Sequence, residues 1–272
     1  MKKSVISVIA IDSVFLLFIG VSGVASSVSP ILSEIMYYLA FVASLCLFFV
    51  LARRGGEISR LPKITTDKEG ALLTLPLVAP ALLSVIGISF LTSYLLSLAG
   101  KTGGTVLQGD FLGLFLLHAL IPAALEELVF RYVPMTLIAP HSKKSAVVIS
   151  ALLFAFVHCD PFEIPYALFA GFLYIIADLA LDSVLPSIVL HLANNTVAIL
   201  WQISIAPSGG AAVALYVIAG ISLLSVLAVF ALRRRYKKRL AFVFQRSDRA
   251  EVPISCAVFI AVTAALAILS LS

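Results

Sequence analysis

Leu125-Glu126-Glu127-Leu128-Val129-Phe130-Arg131 sets two adjacent carboxylates and a guanidinium in a run otherwise greasy enough to cross a bilayer. Ionisable groups at membrane depth are costly and rarely stand there without a partner or a task. Helical geometry divides the labour between the two acids. Glu127 and Arg131 are four apart, share one face and can neutralise each other. Glu126 projects about 100° away from that face and meets no cation on its own. One acid reads as structural, the other as free for chemistry.

The surrounding chain fits that setting. Of its 272 residues, 61% are hydrophobic and 12% charged, and the mean hydropathy is +1.12. A soluble domain must cover its surface with polar groups, so this composition implies a polytopic, all-α membrane helix bundle, a single domain over 1–272. The net charge of +5 is then a topology signal, not a nucleic-acid footprint. The three cysteines, Cys46, Cys159 and Cys256, are scattered, with no CxxC pair, and give neither a disulfide framework nor a zinc ribbon. Cys159 reads as a small buried thiol. Met1-Lys2-Lys3 before an apolar run has the look of a signal peptide, but Asp12 interrupts the run and the pattern continues long enough to span, so a retained first helix is expected.

About 20 apolar residues are needed per crossing. That rule predicts about nine segments, at roughly 4–25, 31–52, 70–99, 109–133, 144–158, 163–181, 184–206, 210–232 and 251–271. The fifth is short, so eight crossings are the alternative. Turn chemistry separates the segments at Ser26 to Pro30, Gly100 to Gly104, Pro140 to Lys144 and Pro207 to Gly210. Seventeen of the 19 lysines and arginines fall in 2–3, 53–68, 143–144 and 233–249. With nine spans these four places share one side, which puts the N-terminus in the cytoplasm and leaves Lys101 opposite. The basic loop 233–249 reads as a stop-transfer and orientation signal, with docking on anionic membrane lipids as the alternative.

Two further segments carry polar groups where lipid would exclude them. The fifth ends Phe154-Ala155-Phe156-Val157-His158, and the seventh contains His191-Leu192-Ala193-Asn194-Asn195, with His191 and Asn195 on one face. A histidine or asparagine alone in a membrane helix is often interhelical glue. A free glutamate, two imidazoles and an amide together point to a cavity. His118, two turns before Glu126, reads as packing, and His141 as a solvated loop residue. Asp178, Asp182 and Glu163 read as interface residues, although Asp178 is also placed to orient a histidine. Asp12 and Glu34 receive no role. Counting from the cytoplasmic ends sets Glu126 and His158 roughly 20 Å deep and His191 nearer 10 Å. The mismatch is expected to be relieved by an early end or kink at Pro134.

Glu-Glu-x-x-x-Arg at 126–131, Phe-x-x-x-His at 154–158 and His-x-x-x-Asn at 191–195, in that order, resemble the motifs of the CPBP family. That family comprises CAAX prenyl proteases type II and bacteriocin-processing or immunity proteins, and is also called Abi. The resemblance covers roughly 110–205, the expected catalytic core. It implies an intramembrane glutamic endopeptidase: Glu126 the general base for water, His158 assisting, His191 and Asn195 the oxyanion hole, and Glu127 with Arg131 structural support. It implies no cofactor and a peptide or membrane-anchored protein as substrate, in a multi-pass protein of a prokaryotic-type cell membrane. The chemistry is coherent, since peptide hydrolysis needs a base, a water and donors aimed at the developing oxyanion.

Three other readings use the same residues. A zinc protease would ligate through Glu126, His158 and His191, but the chain lacks His-Glu-x-x-His and leaves Asn195 idle. A non-catalytic immunity or scaffold protein of the same fold would not need the intact set. A proton-coupled transporter would use Glu and His, but the expected repeat of broken helices is absent from the sequence.

Overall fold

The computed structural model describes residues 12, 14, 16, 17, 20–55, 62–101, 109–205, 224, 227–243, 260, 261 and 263. Seven helices organise them: α1 (Pro30–Gly55), α2 (Lys68–Leu98), α3 (Phe111–Leu137), α4 (Lys143–Phe156), α5 (Ile164–Leu181), α6 (Leu185–Leu200) and α7 (Arg233–Val243). Among the described residues there is no strand, only one isolated bridge between Lys63 and Ser183. The all-α membrane bundle expected from composition is what the chain forms. Among the described residues, four helices are long and apolar enough to cross a bilayer: Ile31–Leu51, Lys68–Leu98, Phe111–Leu137 and Ile164–Leu181. The expected spans at 210–232 and 251–271, and most of 4–25, lie outside the described residues.

Local chemistry sets the helix starts. Asp67 accepts from Gly70 N at 2.6 Å to begin α2, Asp110 from Gly113 N at 2.9 Å to begin α3, and Ser142 from Ser145 N at 3.2 Å to begin α4. Pro165 and Pro186 stand in the first turns of α5 and α6, where a missing N–H costs nothing. Asp182 closes α5 in the left-handed conformation, φ +51°.

Helix α3 does not end at Pro134; it continues to Leu137. Its two internal prolines instead follow π-turns at Leu116–Leu120 and Leu128–Tyr132. A proline removes the N–H that would bond the carbonyl four residues back. Pro134 thereby frees Phe130 O, and the Ser150 hydroxyl of α4 donates to it. Pro122 frees His118 O, and Asn195 Nδ2 of α6 donates to it at 3.1 Å. Each proline thus turns a lost intrahelical bond into an interhelical one, where lipid would otherwise leave a bare carbonyl.

Helices α4 and α5 pack closest, through Ala151, Ala155, Ala167, Ala170 and Gly171, all buried. A Cβ on Gly171 would lie 2.9 Å from Ala151 Cα, so small residues let the backbones touch. Gly171→Val is expected to lower stability by about 2–3 kcal/mol through overpacking, read as an earlier midpoint in a thermal size-exclusion assay. An unchanged midpoint would show that the two helices have room.

The half of the bundle nearest the basic residues is solid. Met135, Leu137, Ile138, Val147, Ile149, Leu179 and Val184 are buried together. Helix α7 docks at that end. Tyr236 Oη donates to Leu73 O at 2.6 Å, and Arg239 pairs with Glu69 at 2.9 Å. Burial pushes the Tyr236 phenol up to about 12, so it remains a donor at any physiological pH.

Candidate active site

Helices α3, α5 and α6 and the turn after α4 enclose a cavity of about 230 Å³, lined by Glu126, His158, His191 and Asn195 together with His118 and Glu163. All four side chains expected to share a site therefore face one space. His158 reaches it from the turn beyond α4, which ends at Phe156, rather than from within a membrane helix. Glu126 also borders a second, wider and more open cavity of about 550 Å³, walled by Ser22, Ser33, Glu34, Tyr37, Tyr38 and His118. Glu126, His118 and Asn195 line both.

The two acids differ as their spacing implies. Glu127 is fully buried and its Oε2 lies 3.0 Å from Arg131 Nε. Its Oε1 is 2.7 Å from His191 Nδ1, a link the sequence did not announce. Glu126 is 5% exposed and has no salt bridge among the described residues. Tyr37 Oη donates to its Oε1 at 3.2 Å, and its Oε2 has no hydrogen-bond partner among them. A cavity of this size holds several waters at about 30 Å³ each.

Arg131 is also fully buried. Its Cζ sits 4.2 Å from the Phe154 ring centroid and 5.6 Å from that of Tyr174, so the guanidinium gains two aromatic faces besides its carboxylate. The Phe154 edge contacts continue to His158 and His191, at centroid separations of 5.3 and 5.5 Å. The phenylalanine of Phe-x-x-x-His thus joins the buried cation to both imidazoles.

Hydrogen bonding sets the tautomers. His158 Nδ1 lies 2.8 Å from Phe154 O, a carbonyl that can only accept; Nδ1 therefore carries the proton and Nε2 the lone pair. His191 Nδ1–H points at the Glu127 carboxylate, and its Nε2 is likewise the free nitrogen. Asn195 is fixed through both ends of its amide: Nδ2 donates to His118 O, and Oδ1 accepts from Asn194 Nδ2 at 3.3 Å. One Nδ2 hydrogen remains for the cavity.

Several sequence readings change. His118 is not packing but lines both cavities, 4.0 Å from Glu34. Glu163, immediately before α5, stands in the cavity wall with Tyr166. Asp178 is fully buried and accepts from Ser187 N at 2.9 Å, anchoring the start of α6 rather than orienting a histidine. Tyr37, Tyr174 and Gln202 were not singled out. A phenol in an apolar helix looks like ordinary core, and only the tertiary fold shows its partner.

Cys159 sits beside His158 and raises the question of a thiol nucleophile. Burial pushes its thiol up to about 11, whereas a catalytic cysteine needs its thiolate near neutral pH. Its φ of +52° marks it as a turn residue in a conformation that favours glycine. Cys159→Gly is expected to preserve activity and to stabilise the fold by up to about 1 kcal/mol. Loss of hydrolysis in that variant, with the fold intact, would give the thiol a role.

Residues 108–197 match the family model described as Rce1-like: Type II CAAX prenyl endopeptidase Rce1-like. No curated protein and no solved structure gives a match to the chain. At the level of the family, the match supports a membrane-embedded protease. The matched segment 108–197 carries all three motifs, and the match supports assigning the chain to the CPBP family.

Proposed function

We propose that the protein is an intramembrane glutamic endopeptidase in which Glu126 activates water to hydrolyse a peptide bond. One observation carries this reading: of two adjacent buried carboxylates, Glu127 is neutralised by Arg131 and bonded to His191, while Glu126 faces a polar cavity with Oε2 free of partners among the described residues. Nothing about packing requires that second acid. The composition of its surroundings does not favour an ion there without use.

In the reaction, water attacks the scissile carbonyl carbon while Glu126 takes the water proton. His158 Nε2, with its lone pair free, accepts the water's other hydrogen and orients it. The tetrahedral oxyanion is met by the remaining Nδ2–H of Asn195. His191 joins as a second donor when its Nε2 has taken up a proton from bulk water before the attack, and the added charge is balanced by Glu127, as in other carboxylate–imidazole pairs. Collapse breaks the C–N bond, and the proton held by Glu126 passes to the leaving nitrogen. The products are a carboxylate and an amine.

The experiment is cleavage of a membrane-anchored peptide by the purified protein in detergent, with and without a strong zinc chelator. Asn195→Ala is expected to lower kcat about 100-fold or more with little change in KM, the effect of losing one oxyanion donor. Hydrolysis that the chelator abolishes and zinc restores would favour the metal reading. A KM effect without a kcat effect would make Asn195 a substrate-binding residue only.

A further inference from the structure

We infer that the site opens on the extracytoplasmic face, and that its substrate is an outward-lying segment of an exported or membrane-anchored polypeptide rather than a cytoplasmic prenylated C-terminus. The inference rests on the hydrolase reading and assigns the class of substrate to it.

Helix α5 serves as a ruler. Its 18 residues span about 27 Å. At its start, Glu163 and Tyr166 line the Glu126 cavity with His158. At its end, Leu179 and Asp182 border a different cavity with Arg234, Arg235, Lys238 and Arg239 of α7. The other elements agree on which end is which. Lys63 bridges to Ser183 just past α5, Lys68 opens α2, and Lys143 and Lys144 open α4. Arg53 and Arg54 close α1, whereas Ser33, Glu34 and Tyr37 near its start line the wide cavity. Lys101, beyond the far end of α2, is the one described lysine or arginine at the site's end.

Clusters of lysine and arginine flanking membrane helices stay in the cytoplasm. The mouth of the site is at the opposite end. Passage from the basic end is blocked, first by Glu127, Arg131, Tyr174 and Asp178, all but fully buried, then by the apolar plug around Met135, Leu137, Val147 and Val184. A prenylated CAAX terminus is anchored to the cytoplasmic leaflet and would meet only that plug.

The test reads sidedness independently of activity. Ser27→Cys and His141→Cys, both at exposed positions, are introduced separately where Cys46, Cys159 and Cys256 have been replaced by alanine. Intact cells are then treated with a membrane-impermeant maleimide. Ser27→Cys is expected to label at least tenfold faster than His141→Cys, and His141→Cys to label only after permeabilisation. The reverse pattern overturns the inference. Should the cysteine-free protein not accumulate, a protease-cleavage sequence inserted after Ser27 or after His141 in the unaltered chain reads the same sidedness. Hydrolysis itself is followed in detergent, where both faces are accessible. Inverted labelling with detergent activity intact removes only the orientation. Expected labelling with no Glu126-dependent cleavage in detergent removes the substrate class together with the hydrolase reading.

Discussion

Glu126→Gln is expected to lower kcat/KM for peptide cleavage at least 1,000-fold while leaving the fold unchanged, within the range general-base removal gives. Glutamine has the size and one of the acceptors of glutamate, so Tyr37 Oη, which donates to Oε1 at 3.2 Å, keeps its partner. What it lacks is a site for the water proton. Because Glu126 makes no salt bridge among the described residues, no cation is left bare by the change, and the thermal midpoint should stay close to that of the unaltered protein. Equal rates for the two proteins would remove Glu126 from the chemistry.

Glu127→Ala is expected to act in the opposite way, on stability. It leaves Arg131 buried with only aromatic faces as partners and takes the carboxylate from His191 Nδ1. Removing one member of a buried pair costs about 3–5 kcal/mol, because the remaining charge is stranded. Little folded protein should then survive detergent extraction. Glu127→Ala combined with Arg131→Leu removes both charges, and should recover most of the loss in thermal stability. Activity should stay low in that double variant, since His191 no longer has its acceptor. A double variant no more stable than the single one would show that something other than the stranded guanidinium causes the loss.

These two adjacent acids also show where the sequence was legible. Four-residue spacing assigned Glu127 to Arg131, and helical phase separated Glu126 from both, before any fold was known. The composition was legible as a class of fold because long, continuous apolar runs in lipid must satisfy their polar backbone within the segment, which a helix does. His191 and Asn195 were placed on one face by the same spacing. The bonds that orient them were not legible, since they depend on tertiary contacts: Glu127 is 64 residues from His191, and His118 O is 77 residues from Asn195. The expected early end at Pro134 was not met for a related reason. A proline in isolation predicts a break, but Ser150 on the neighbouring helix satisfies the carbonyl it frees, and α3 runs on. His118 and Glu163 were read as bland because each lacks a motif neighbour; only the convergence of α1, α3, α5 and α6 gives them a cavity.

The most direct test of water activation by Glu126 is cleavage of a defined membrane-anchored peptide by purified protein in water labelled with heavy oxygen. One heavy oxygen should appear in each new C-terminal carboxylate, none in the released amine, and no product should form with Glu126→Gln. Equal product from Glu126→Gln and the unaltered protein, or no product above background from either, would contradict the account.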